Sequence, residues 1–222
     1  MACALTRPDW IKSRYNSEDV MEMHRLMSKL SLNTICTEAL CPNMGECCKN
    51  RTATFLILGN VCTRNCGFCA VRKGKGARLD SEEPQKVAEA ARTLRLKHVV
   101  ITSVTRDDLP DGGAAHFAAT IRSIKATSPA STVEALIPDM RGLKENLDMV
   151  VAAGPDVVNH NIETVPSLYA NVRPEADYGR SLRVLRYVKE RAPQILSKTG
   201  VMVGLGETPD EIYRVMDDLI AV

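Results

Sequence analysis

A chain of 222 residues can bury a full core as a single domain, and 45% apolar against 25% charged residues is the balance of a globular protein. A formal net charge of +2, with no acidic or basic tail, is too small to imply nucleic acid or an anionic membrane as a partner. No basic segment followed by an apolar run opens the chain and no stretch reaches the length of a membrane span, so a cytoplasmic protein is expected; a mature organellar form would look the same.

Eight cysteines are many for this length, and seven of them fall between Cys36 and Cys69 with none beyond. Clustering of that kind in a chain without a secretory signal suits local metal sites better than a disulfide frame. One group, Cys62-Thr-Arg-Asn-Cys66-Gly-Phe-Cys69, has the spacing C-x3-C-x2-C with an aromatic just before the last thiol. The other, Cys36, Cys41 and Cys47, is spaced C-x4-C-x5-C.

In chain order, residues 1–16 read as irregular. Ser17 can cap a helix to about Lys29 that places Val20, Met23, Met27 and Leu30 on one face, and methionines and a lone His24 at this spacing read as packing. Residues 36–48 read as a loop, because Pro42, Asn43 and Gly45 argue against a regular helix. The unbroken apolar run at 52–59 predicts a strand buried on both faces, with Cys62 to Cys69 directly after its C-terminal end. Strands are then predicted at 98–103, 132–137, 156–162 and 200–205. Helices are predicted from Asp80 or Ser81 with Pro84 in the first turn, around Phe117, Ile121 and Ile124, at 143–153, at 178–191, and from Thr208 to the end of the chain, where Thr208 and Glu211 form a capping box.

Five strand-then-helix units make an α/β fold with a parallel sheet, and right-handed crossovers coil such a sheet toward a partial TIM-type barrel. The domain division read from this pattern is an N-terminal, cysteine-rich extension over 1–50 and a barrel over 51–222, together one structural unit. The fifth strand is almost wholly apolar and would be an exposed edge, so a last strand beyond Val222 is expected to be missing. Glu134, inside a strand, would be costly if buried without partners, so it either points into a polar lumen, the expected case, or meets a basic residue. His160, beside Asn159 and Asn161 at a strand's C-terminal end, reads equally as a site residue and as a satisfied core histidine.

A structural zinc knot on Cys62, Cys66 and Cys69 would need a fourth ligand and more usually shows paired C-x2-C units. An iron–sulfur cluster tolerates more varied spacing, and three thiolates on a four-iron cluster leave one iron open. The C-x3-C-x2-C spacing after the first strand of a partial barrel resembles the radical S-adenosylmethionine superfamily. Gly200-Val-Met-Val-Gly204-Leu-Gly-Glu207 is similar to that superfamily's segment near the adenine, with Met202 replacing isoleucine. The Thr105 to Gly113 loop stands where the superfamily has a glycine-rich contact to the amino group. The upstream C-x4-C-x5-C triad narrows the resemblance to the lipoyl synthase family, as do Thr102 to Leu109, Leu136-Ile-Pro-Asp139, Asn159 to Val165 and Lys198 to Thr208.

The resemblance implies an enzyme that inserts two sulfur atoms at C6 and C8 of a protein-bound octanoyl chain. It implies two [4Fe-4S] clusters: one on Cys62, Cys66 and Cys69 that binds and cleaves S-adenosylmethionine, and an auxiliary one on Cys36, Cys41 and Cys47 that donates sulfur. Expected contacts to S-adenosylmethionine are Phe68, Asp107, Gly112, Gly113, Asn161, Glu163, Arg173, Lys198, Gly204 and Glu207, with Glu163 on a ribose hydroxyl and Arg173 and Lys198 on the carboxylate. Implied partners are an octanoylated lipoyl carrier protein or domain, as in E2 subunits and the glycine cleavage H protein, and an electron donor such as ferredoxin or flavodoxin. The basic loop Arg72, Lys73, Lys75 and Arg78 reads as a solvated face or as a dock for an acidic carrier. Cys48 stands where the family has tryptophan and reads as a small buried substitute. The family's C-terminal Arg-Ser-Ser-Tyr segment, whose serine is the fourth auxiliary ligand, is expected to lie beyond Val222. Alternatives are a biotin-synthase-like sulfur-inserting enzyme, against which the upstream triad argues, and a metal-binding remnant without turnover.

Overall fold

The computed structural model describes residues 17–38, 41 and 43–222; the irregular segment expected over 1–16 lies outside them. Helix α1 (Ser17–Leu30) buries Val20, Met23 and Met27 on one face, the stripe its spacing predicts. A two-residue strand β1 (Asn33–Thr34) follows, then the short helices α2 (Ile35–Glu38) and α3 (Met44–Lys49). At 36–38 and 44–48 the loop reading is corrected to helix; residues 39, 40 and 42 lie outside the described ones. Asn43 directly precedes α3 rather than interrupting it, and Gly45 is buried within it.

The main sheet has the order β1, β2 (Thr52–Ile57), β5 (His98–Ser103), β6 (Thr132–Leu136), β7 (Val157–Asn159), β8 (Leu196–Lys198). All pairs are parallel except β1 with β2. A separate parallel pair, β3 (Val61–Cys62) with β4 (Arg72–Lys73), closes the loop that holds the cysteine triad. The helices α4 (Glu83–Thr93), α5 (Ala114–Thr127), α6 (Lys144–Ala152), a single turn α7 (Tyr169–Val172), α8 (Tyr178–Arg191) and α9 (Pro209–Ile220) complete the alternation.

Side-chain alternation divides the sheet. Phe55, Ile57, Val99, Ile101, Val133, Ala135 and Val158 are buried in one core with Val87, Phe117, Ile121, Ile124, Leu147, Val150 and Val188 of the helices. The intervening positions Thr54, Leu56, Thr102 and Leu136 line a cavity on the other face, at the strands' C-terminal ends. This is a partial barrel with its open end where the cysteine loop begins.

The fifth parallel strand is Leu196–Lys198, not 200–205. Gly204 and Gly206 have φ of +97° and +119°, so the expected strand turns away, and only Val201 keeps a bridge, to Glu163. In this register Lys198 lies opposite Asn159 in the sheet, and its Nζ is 2.9 Å from Glu134 Oε1. Glu134 meets a basic residue, and it also bonds Asn159 and His98 of the neighbouring strands. Burial pushes this carboxyl up, yet those three partners together hold it down at about 2. The capping box at Thr208 and Glu211 forms as expected.

At the end of β2 the chain must turn sharply, and Leu58 does so with φ of +67°. Both of its backbone groups are held by side chains: Leu58 N donates to Glu83 Oε2 at 2.9 Å, and Arg106 Nη1 donates to Leu58 O at 3.1 Å. A Cβ on Gly113, which itself has φ of +91°, would lie 2.3 Å from Leu58 Cδ1. Gly113→Ala is therefore expected to lower stability by about 2–3 kcal/mol, and Gly112→Ala, where a Cβ would meet Met140 Cα at an ordinary 3.6 Å, by about 1 kcal/mol. Equal denaturant midpoints for the two variants would show that the Leu58 contact is unimportant.

Candidate active site

A cavity of about 330 Å³ opens at the C-terminal ends of the strands. Its wall includes Cys62, Cys66, Phe68 and Cys69 from the triad loop, and Asn161, Glu163 and Arg173 from beyond β7. Seven residues expected from sequence thus converge on one space. Much of the remaining wall is apolar, with Ile35, Leu56, Val71, Val104, Leu136 and Ile137.

The triad loop is fastened at many points. Gly67 N donates to Val172 O at 2.9 Å, and Gly74 N to Cys62 O at 2.9 Å. Lys73 Nζ donates to Cys66 O and Cys69 O at 3.2 and 2.7 Å, so this lysine of the basic loop has a structural task rather than a merely solvated one. The Cys62 sulfur accepts backbone N–H bonds from Arg64 and Thr105 at 3.4 and 3.3 Å, which fix its place in the loop. Burial pushes the Cys66 thiol up, opposed by the nearby Arg173 charge.

Arg173 is itself oriented: its Nη1 donates to Asn161 O and Ile162 O at 3.0 and 2.9 Å, and the group stacks 5.5 Å from the Tyr169 ring. Its buried Nε has no hydrogen-bond partner among the described residues, and neither has Ser103 Oγ in the same wall. Buried donors left over in this way await a polar ligand. Glu163 has φ of +69°, a strained value for a side chain of its size, and burial pushes its carboxyl up while Asn161 and Arg173 oppose the shift. A fixed cation, a half-buried carboxyl group and unpartnered donors beside three thiols fit a cluster with a zwitterionic, hydroxyl-bearing ligand.

Other expected contacts lie elsewhere. Asp107 is engaged by Arg64, and Lys198 by Glu134. Gly112 and Gly113 serve the turn into α5. Glu207 binds the amides of its own loop, Gly204 N and Leu205 N, among exposed residues. None of these six residues lines the cavity.

The upstream cysteines also come together. Cys36 is buried, and its thiol is pushed up to about 11, first by burial and then by the neighbouring Cys41, Cys47 and Cys48. Thiols in this state must release protons when they ligate metal. No three His, Cys, Asp or Glu among the described residues are arranged to hold a metal ion. A four-iron cluster spaces its thiolates more widely than one tetrahedral ion does. Cys48 packs toward α1, its sulfur 3.7 Å from Met23 Sδ.

His160 is in the cavity wall but is 1% exposed and satisfied at both nitrogens, by Ile137 O at 2.9 Å and Ser181 Oγ at 3.0 Å. Burial, opposed by the bond to Ile137, drops its pKa from 6.5 to about 4. Below pH 6.5 the unfolded chain takes a proton here that the folded chain does not, so stability falls with pH until about 4. Between pH 7.5 and 5 the loss is expected to be about 2 kcal/mol from this group, absent from His160→Gln. Denaturant titrations of both proteins at the two pH values check it.

Residues 56–219 match the radical SAM superfamily. Methylornithine synthase (PylB) superposes with a TM-score of 0.59 at 16% identity, over 93% of this chain and 58% of that one. HydG, a maturase of the [FeFe]-hydrogenase, superposes with a TM-score of 0.60 at 17% identity, over 91% and 51%. These likenesses define the class: a radical S-adenosylmethionine fold with its cysteine loop at the open end of a partial barrel.

The lipoyl synthase of Caldanaerobacter subterraneus subsp. tengcongensis is 60% identical over 213 residues, 96% of this chain and 75% of that protein. The lipoyl synthase of Rubrobacter xylanophilus is 58% identical over 214 residues, 96% and 67%. The chain belongs to the lipoyl synthase family, sulfur-inserting enzymes that depend on S-adenosylmethionine and an iron–sulfur cluster and act on an octanoylated carrier protein.

Proposed function

We propose that the cavity is a reaction chamber served by two four-iron clusters, one on Cys62, Cys66 and Cys69 and one on Cys36, Cys41 and Cys47. The observation that carries this is the position of α2: Ile35 forms part of the cavity wall, and the next residue, Cys36, faces the other upstream thiols. This contact of α2 with the wall supports a reading in which the upstream triad serves the same space, although its three cysteines do not themselves line the cavity. When bound, the first cluster supplies the electron that cleaves S-adenosylmethionine to a deoxyadenosyl radical, and the second supplies sulfur for C6 and C8 of the octanoyl chain.

The chain's own residues do the rest. Arg173, with an uncommitted Nε, binds the S-adenosylmethionine carboxylate, and Glu163, steadied by Asn161, accepts from a ribose hydroxyl. Phe68 covers the ligand from the loop. Leu56, Val104, Leu136 and Ile137 hold the octanoyl chain and keep water away, so that a primary carbon radical meets only the intended C–H bond. Arg72, Lys75 and Arg78, all exposed on the loop flanking the triad, attract an acidic carrier domain such as an E2 lipoyl domain or the glycine cleavage H protein. A small acidic electron donor of the ferredoxin or flavodoxin type completes the system.

Anaerobic reconstitution tests the assignment. About eight irons per chain are expected, four for each cysteine triad, with sulfide in similar amount and 5′-deoxyadenosine formed from S-adenosylmethionine under reductant. Zinc in place of iron would overturn it.

A further inference from the structure

The triad loop also carries Arg64, which has no ligand chemistry of its own and is only 6% exposed. Its guanidinium grips two carboxylates at once. Nε and Nη2 lie 2.7 and 2.9 Å from the two oxygens of Asp107, and Nη1 and Nη2 lie 2.9 and 2.7 Å from those of Asp139. Asp139, 1% exposed, also accepts from Arg180 Nη1 at 3.0 Å and from the Arg141 amide at 3.1 Å. Thr63 ties the same stretch down again: its N donates to Thr105 O at 3.0 Å, and its Oγ1 accepts from Asp107 N at 3.1 Å.

The loop after β2 is thus locked to the loops after β5 and β6 and, through Arg180, to the start of α8. Paired forks fix direction as well as distance, which an ammonium does not, and removing one partner of such a buried group leaves the other charge stranded. Two segments that resemble the family, Thr102 to Leu109 and Leu136 to Asp139, meet here on a residue between Cys62 and Cys66. Neither Asp107 nor Asp139 lines the cavity, so their common task is to hold the loop.

We propose that Arg64 is a positioning residue: its clamp on Asp107 and Asp139 sets the placement of the Cys62 and Cys66 sulfurs, and through them how firmly the cluster is kept and the electronic environment it experiences. This rests on Cys62, Cys66 and Cys69 being the ligands. The test uses the full chain, reconstituted anaerobically, as wild type, Arg64→Lys and Asp107→Asn. Three quantities are read: iron loss to a chelator, the electron paramagnetic resonance spectrum of the reduced cluster, and the thermal midpoint of the iron-free protein.

Arg64→Lys is expected to lose triad-loop iron about tenfold faster and to shift the spectrum, as replacement of groups behind metal ligands generally does. Asp107→Asn, which keeps the Asp139 fork, should show a smaller change in the same direction. Wild-type iron retention and spectrum in Arg64→Lys, even with a lowered thermal midpoint, would make the clamp a purely structural feature and overturn the proposal. Should Arg64→Lys not fold, Asp107→Asn decides by the same two readouts. A wild-type chain that takes up no cluster overturns the ligand assignment, and this inference with it; a loaded wild type with unaltered variants overturns the clamp alone.

Discussion

Cys66→Ala is expected to abolish 5′-deoxyadenosine formation, a loss on the order of a thousandfold or more, because three thiolates are the minimum by which this loop holds a four-iron cluster. The fold should survive the change. The loop's other fastenings do not involve this thiol: Lys73 bonds the backbone carbonyl of Cys66, Gly67 N bonds Val172 O, and Arg64 is held by Asp107 and Asp139. A far-ultraviolet circular dichroism spectrum like that of wild type, with about half the iron and no cleavage of S-adenosylmethionine, is the predicted combination. Undiminished cleavage by this variant would mean that the cavity has been assigned to the wrong thiols.

Cys47→Ala should divide the reaction in two. Cys47 is on α3, and its thiol is pushed up by burial and by the adjoining Cys41. Removing it is expected to leave 5′-deoxyadenosine formation within about threefold of wild type while lowering sulfur insertion into an octanoyl-lysine peptide by about a thousandfold, since the donor site then lacks a ligand. The neighbouring Cys48→Ala is the control. Cys48 packs toward Met23, so its loss should cost about 1 kcal/mol of stability and leave iron content unchanged. If Cys47→Ala and Cys48→Ala gave the same sulfur-insertion rate, the auxiliary site would not be built on Cys47.

Sequence by itself determined the class of fold and the family, and set out the spacing of the two cysteine triads. Each of these is written locally: a strand by its unbroken apolar run, a helix by its stripe and caps, a cluster loop by thiols within eight residues. Asn161, Glu163 and Arg173 were also legible, because residues beyond the C-terminal ends of parallel strands must face the open end of the barrel. The tertiary structure alone decided what the intervening polar residues do. Asp107 is spent on Arg64, 43 positions earlier, and Asp139 on the same guanidinium across 75 positions. Lys198 is engaged by Glu134, in a last strand that lies upstream of its expected place. A charged side chain near the barrel axis takes whichever opposite charge the fold sets beside it, and that partner is fixed by strand register and crossover, which no local spacing records.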